Sequence, residues 1–279
     1  MESFRQRTDL AVEARELALA DRVGEIDGVE YEEYDQNDMK YQKLTVTTDA
    51  GAEAIGKPRG RYYTAFISSV LRRESDSFID TTLAVAGLIR ELLGESKGGC
   101  TLVACLGNRD ITPDAIGPLS ADSLLVTRHL KEHAPEDFKF LSPVAVIAPG
   151  VLGTSGIESA DYIKWLCGSL KPERVLAIDA LAARSLDRLC RTVQLTDTGI
   201  TPGSGVGNSR SAINQETLGV PVVAIGVPTV VDIRSLLTDF GDGEASQAPA
   251  DANTMIVTPR NIDSEVACAS RVVAYAINL

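Results

Sequence analysis

The apolar positions of this chain fall into two alternating rhythms. From Phe78 they recur as Phe78, Thr82, Val85, Ala86, Ile89, Leu92 and Leu93, the spacing of a helix with one buried face. Short β-branched runs follow at 101–106 (TLVACL), 144–148 (VAVIA), 174–178 (RVLAI), 191–195 (RTVQL) and 222–227 (VVAIGV). Runs this apolar are strands buried on both faces. Amphipathic stretches between several of them, such as 158–170 with Ile163, Leu166, Cys167 and Leu170 on one face, are the helices that cover them. The pattern predicts an α/β fold, a largely parallel sheet flanked by helices.

Before Phe78 the rhythm is less regular. Residues 1–9 form a polar leader, and Leu10–Val23 suits a helix rich in Ala, Leu, Glu and Arg. The acidic stretch 30–42 (EYEEYDQNDMKYQ) breaks the core pattern and receives no element. Lys43–Thr48 and Tyr62–Ile67 read as strands around the turn-rich GKPRGR at 56–61, giving an N-terminal β-containing elaboration. Near the C-terminus, the polar 238–253 (TDFGDGEASQAPADAN) reads as a surface loop, TMIV (254–257) as a short strand and 262–277 as a closing helix. Residues 10–279 are thus expected to form a single α/β domain, with 1–9 a loose leader.

Charge narrows the partners. Lys plus Arg number 27 against 39 for Asp plus Glu, a net charge of −12, which opposes unaided binding to nucleic acid or an anionic membrane. The five cysteines (100, 105, 167, 190, 268) lack C-x-x-C spacing and read as reduced core residues. The charged N-terminus has no apolar core of a signal peptide, and no run approaches the roughly 18 apolar residues of a membrane span. A cytoplasmic protein is the expectation.

In an open α/β sheet the ligand crevice lies outside the carboxyl ends of the strands. Three segments fall there: GNRDITPDAIGP after 101–106, PGVLGTSGIE (149–158) after 144–148, and AIDALAARS (177–185), where Asp179 is expected to end its strand. Asp114 and Asp179 could converge across one crevice, and paired carboxylates suit hydrolysis because a shared site pushes their pKa values apart. The alternative is that each caps a helix, Asp114 one starting near Ala115 and Asp179 one over 180–188. The glycine-rich TPGSGVGN (201–208) fits neither a dinucleotide nor a P-loop pattern and reads as a rim loop. A competing motif is HLKEH (129–133), which matches the H-x-x-E-H zinc site of some metallopeptidases and holds both histidines of the chain. Ala134-Pro135 ends that helix at once, which leaves His133 in a solvated last turn.

Several collinear stretches together resemble the germination protease family of spore-forming bacteria. They are RTDLAVEAREL (7–17), LGN-x-x-x-TPDAIGP (106–118), LLVTRHL (124–130), APGVLGTSGIE (148–158), AIDALAARS (177–185), TDTGITPGSGVGNSR (196–210), ETLGVPVVAIGVPTVVD (216–232) and VTPRNID (257–263). The resemblance implies an endopeptidase, aspartic-type, that degrades small acid-soluble spore proteins, with a fold similar to the hydrogenase maturation proteases. It places the catalytic pair on Asp114 and Asp179. The glycine-rich loops carrying Gly107, Asn108, Gly150, Gly153, Gly203 and Gly205 become candidates to line the site or donate to an oxyanion.

The resemblance further implies a zymogen whose short propeptide is removed by self-cleavage at Asp9–Leu10, a segment that mimics substrate by placing an acidic residue before an apolar one. No cofactor is called for and no metal is assigned, although a nickel-type site of carboxylates and histidine stays open through the maturation proteases. A non-catalytic peptide-binding relative is the remaining alternative. A spore-core location and a homo-oligomer, tetrameric in the family, are implied as well. Two features depart from the family: only residues 233–256 separate GVPTVVD from VTP, and position 109 is Arg where an aromatic is usual.

Overall fold

The computed structural model of the chain describes residues 8–20, 24–71, 77–206, 210–233, 236 and 255–279. Its strands are β1 (Val29–Gln36), β2 (Met39–Val46), β3 (Gly60–Phe66), β4 (Thr101–Cys105), β5 (Val144–Ile147), β6 (Arg174–Ala183), β7 (Thr192–Thr196), β8 (Val222–Asp232) and β9 (Ile256–Val257). They form one sheet in the order β1-β2-β3-β7-β8-β6-β4-β5, with β9 on β8. The pairs β8–β6, β6–β4 and β4–β5 are parallel. The pairs β1–β2, β2–β3, β3–β7 and β7–β8 are antiparallel, so the run at 192–196 joins a parallel core to an antiparallel N-terminal half.

Both faces are covered. Helices Ser77–Leu93, Ile116–Ala121 and Ile262–Asn278 pack on one face against Val103, Cys105, Leu176, Ile178, Val193, Leu195, Val223 and Ile225. On the other, helix Ser159–Leu170 packs on Leu102, Ala104, Val175 and Ala177 through Ala160, Ile163 and Cys167. Over β2 and β3 on that second side lie α1 (Ala11–Ala20) and α2 (Asp49–Ile55), with Val12 and Ile55 against Leu44 and Tyr62. Between these two helical covers the second face over β6, β8 and β7 is filled by residues 8–11 and the turn at 200–205, and the strand residues there are buried.

The sequence reading needs three corrections here. The acidic 30–42 is not featureless: β1 and β2 form a hairpin whose two-residue turn places Asn37 and Asp38 at positive φ (51° and 58°), as a type I′ turn requires. β1 is an edge strand with its side chains largely in solvent, so it carries charge where a core strand cannot. Residues 49–55, between the two expected strands, form α2, with the Thr48 side chain accepting from Gly51 N–H. Third, β6 runs past Asp179 to Ala183, because β8 continues beside it to Asp232. No helix begins at residue 180, so the capping role considered for Asp179 falls away. The expected loop 238–253 and residues 1–7 of the leader lie outside the described residues.

None of the five cysteines is in a disulfide, and Cys105, Cys167 and Cys190 are buried. Among the described residues, no helix is long and apolar enough to cross a membrane.

Candidate active site

Asp114 sits at the end of a 3-10 turn, Thr112–Asp114, that follows β4. The helix after it starts at Ile116 with no side-chain cap. The Asp114 carboxylate turns back instead: Oδ2 accepts from Asn108 N–H at 2.8 Å. Gly107 makes this fold-back possible, with φ at +110° and a Cβ that would stand 2.0 Å from the Asp114 carbonyl oxygen. The turn is pinned to the sheet by Thr229, whose hydroxyl donates to the Pro113 carbonyl at 2.6 Å, at the irregularity where β8 gains a residue against β6. The carboxylate of Asp114 is therefore aimed at the strand ends, not at the helix.

Asp179 lies within β6, one residue past the Cys105–Ile178 pairing. Leu106 N–H donates to the Ile178 carbonyl at 2.8 Å, so Asp179 stands beside the Leu106–Gly107 step that wraps Asp114. It is 5% exposed, and its Oδ1 accepts from Ala180 N–H. Burial pushes its carboxyl well above the usual range, and the charges of Asp114 and Asp9 push it further. Burial also raises Asp114, offset by the Asn108 hydrogen bond. Both shifts favour the protonated carboxyl, and the charge of Asp114 acts on Asp179. A carboxyl pair coupled in this way is the arrangement that base-and-acid hydrolysis uses.

The charge of Asp9 in this list has a structural origin. Residues 8–10 lie along the end of β6, where Asp9 N–H donates to the Ala182 carbonyl at 2.9 Å. The Asp9 carboxylate accepts from Ala182 N–H at 2.8 Å and from Ser204 Oγ at 2.5 Å. Gly205 leaves the room: a Cβ there would stand 2.3 Å from Asp9 Oδ2. Leu10, fully buried, packs with Leu181, Ala183, Leu189 and Val231. Glu13, 1% exposed, holds the neighbouring turn by accepting from Arg184 N–H and Ser185 N–H at 2.7 and 2.9 Å and from the Thr8 hydroxyl.

The remaining residues singled out in the sequence are placed differently. Asn108 spends its N–H on Asp114, and its side chain accepts from Asp110 N–H. Gly150 and Gly153 belong to an exposed turn whose amides at 154–156 bond to the carbonyls of Val151 and Leu152. Gly203 lies in the turn that delivers Ser204 and Gly205 to Asp9.

The HLKEH segment is a short surface helix, Arg128–His133. Glu132 pairs there with Arg128 at 2.6 Å and His133 Nδ1 faces the His129 carbonyl. Among the described residues no group of three or more His, Cys, Asp or Glu is placed to hold a metal ion.

Sequence reasoning missed three residues of the site: Lys57, Gln194 and Ser204. Lys57 Nζ donates to the carbonyls of Thr8 and Asp9 at 3.0 and 2.9 Å. Gln194 accepts from Ala11 N–H at 2.7 Å and donates to the Asp9 carbonyl at 3.2 Å. Only Gln194 left a local trace, as a polar residue inside the apolar run 191–195.

A family model described as germination protease matches residues 7–242. Germination protease of Clostridium perfringens is 40% identical, over 99% of this chain and 95% of its own length. That of Clostridium tetani is 38% identical over 98% and 94%. That of Bacillus subtilis is 45% identical over 85% of this chain and 66% of its own. Among solved structures, the [NiFe] hydrogenase maturation protease HycI from Thermococcus kodakarensis covers 69% of this chain at 16% identity and a TM-score of 0.39, too distant to carry an argument. Matched from before the Asp9–Leu10 junction to beyond β8, this chain belongs to the germination protease family of peptidases.

Proposed function

We propose that Asp114 and Asp179 together hydrolyse peptide bonds that follow an acidic residue, and that the substrates are small acid-soluble spore proteins degraded at germination. The ionised member of the pair takes a proton from water as it attacks the peptide carbonyl, and the proton held by the pair goes to the departing amine. One observation carries the reading: buried Asp179 stands on β6 beside the Leu106–Gly107 step that wraps Asp114, with Asp9–Leu10 docked on the same strand at Ala182. The chain's own acidic-apolar junction thus lies in the proposed substrate cleft. Its cleavage would remove residues 1–9 and convert a zymogen to the working enzyme.

Net charge of −12 favours substrate that has already left DNA. The proposed setting is the spore core, and the proposed assembly is a homo-oligomer whose size sedimentation would give. The test is fragment mass analysis on an unfolded small acid-soluble spore protein. Wild type should cut after acidic residues with or without chelator. Asp114→Asn and Asp179→Asn should each leave the substrate whole, and cutting that survives in both would refute the assignment.

A further inference from the structure

Lys57 enters the second face of the sheet from the loop between α2 and β3, and its ammonium is buried. A buried lysine is costly unless its hydrogen bonds are made. Two of them are made to consecutive main-chain carbonyls, those of Thr8 and Asp9, and the charges of Asp9 and Glu13 support it.

The second donor to the Asp9 carbonyl is Gln194. Its position follows from strand register: Gln194 on β7 pairs with Gly226 on β8, and Gly226 pairs with Asp179 on β6. Residues paired directly across strands point to the same face, so Gln194 and Asp179 face the same side, about 10 Å apart at their Cα atoms. Gly226 between them carries no side chain, and Leu181 of β6 fills the space this leaves, 2.4 Å from where a Cβ would stand. The Asp9 carbonyl is held from the Gln194 side of this row, while Asp9 N–H and carboxylate bond to Ala182, three residues past Asp179 on β6.

The bonds around this one peptide are complete in kind. Its carbonyl oxygen has two donors, and its N–H, that of Leu10, donates to Thr8 Oγ1 at 3.0 Å. The flanking Asp9 carboxylate and Leu10 side chain each have their own subsite.

We infer that Lys57 and Gln194 are the donors that stabilise the oxyanion when a peptide in this cleft is hydrolysed, first at Asp9–Leu10 and then in substrates. The inference rests on the two-carboxylate reading. Water oxygen bonds to the Asp9 carbonyl carbon while its proton passes to the carboxylate pair. The carbonyl electron pair moves onto the oxygen held by Lys57 and Gln194. On collapse the bond to Leu10 nitrogen breaks, and the pair returns a proton to that nitrogen, leaving a carboxylic acid and an amine. Donors aimed at a developing oxyanion act on the transition state more than on the bound ground state.

The experiment uses the full chain with Lys57→Met, Lys57→Arg, Gln194→Ala and Asp179→Asn. Leader release is followed by intact mass, and hydrolysis of an added acidic-apolar peptide by kcat and KM, with melting temperature recorded for each. Lys57→Met should lower both the leader-release rate and kcat about 10²–10³-fold with KM changed only a few-fold. Lys57→Arg should restore part of kcat, and Gln194→Ala, which tests the same oxygen should Lys57→Met not fold, should lower kcat at least tenfold. Folded Lys57→Met and Gln194→Ala enzymes with wild-type kcat and raised KM would overturn the inference and leave both residues as anchors. Asp179→Asn reports separately: wild-type turnover there would sink the two-carboxylate reading, while the Lys57 and Gln194 kcat values still decide this one.

Discussion

Gln194 and Asp179 stand in one row of the sheet, two strands apart on one face, with the side-chain-free Gly226 between them. The chain's own N-terminal segment bridges that row, bonded to Gln194 at one end and feeding its charge to Asp179 at the other. The helical covers stop short here, Ser159–Leu170 on one side and α1 and α2 on the other, and the N-terminal segment fills the space between them, with Leu10 fully buried.

Asp179 should be a destabilising residue. Its carboxyl titrates well above its ordinary value because burial opposes the charge. The unfolded chain releases that proton near pH 4, whereas the folded chain keeps it. Stability from this group is therefore full below about pH 4 and falls as pH rises through the native value. Asp179→Asn, which retains the acceptor for Ala180 N–H, should raise the melting temperature at pH 8 by roughly 2–4 °C per kcal/mol gained, and by less at pH 4. Thermal melts of both proteins at the two pH values check this, and an equal shift at both would contradict the buried-charge account.

Specificity for an acidic residue should reside in Ser204 and Gly205. Removing the Ser204 hydroxyl takes one charge-assisted hydrogen bond of about 1.5–3 kcal/mol from the carboxylate, so Ser204→Ala should narrow the preference for Asp over Asn by roughly tenfold or more. Gly205→Ala puts a methyl group where Asp9 Oδ2 lies and should slow leader release more strongly than Ser204→Ala does. Paired peptides differing only as Asp or Asn before the cut give the ratio directly. An unchanged ratio in both variants would place the acidic subsite elsewhere.

The histidines of HLKEH should be dispensable. Both are exposed and Glu132 is engaged by Arg128, so His129→Ala and His133→Ala should each change stability by no more than about 0.5 kcal/mol. Turnover should stay within twofold of wild type, with or without chelator. Loss of turnover in either variant, restored by added zinc, would return the motif to the active site.

The fold core was legible because strands buried on both faces have nothing but apolar residues to offer; β4, β6 and β8 are found by that signal, and β5, the edge strand beside β4, is apolar although only half-buried. β1 was not, because an edge strand in solvent is written in Glu and Tyr, as a loop can be. Asp114 and Asp179 could be located from strand ends, yet not separated from helix caps, since a cap and a catalytic carboxylate use the same residue in the same place. The Asn108 hydrogen bond and the continuation of β6 remove the helix caps and leave the catalytic reading as the proposal. Lys57 had no local signal at all, and Ser204 only its place between Gly203 and Gly205 in the glycine-rich loop. Their meaning comes from the N-terminal segment they hold, which is separated from Ser204 by most of the chain.

The most direct measurement is single-turnover leader release at Asp9–Leu10 in wild type, Asp114→Asn, Asp179→Asn and the double variant, read by intact mass. Carboxyls that share one proton and one reaction act as a unit, so each single change should abolish release and the double change should cost no more than either. Release from either single variant within tenfold of the wild-type rate, or losses that multiply in the double variant, would mean that Asp114 and Asp179 are not one catalytic pair.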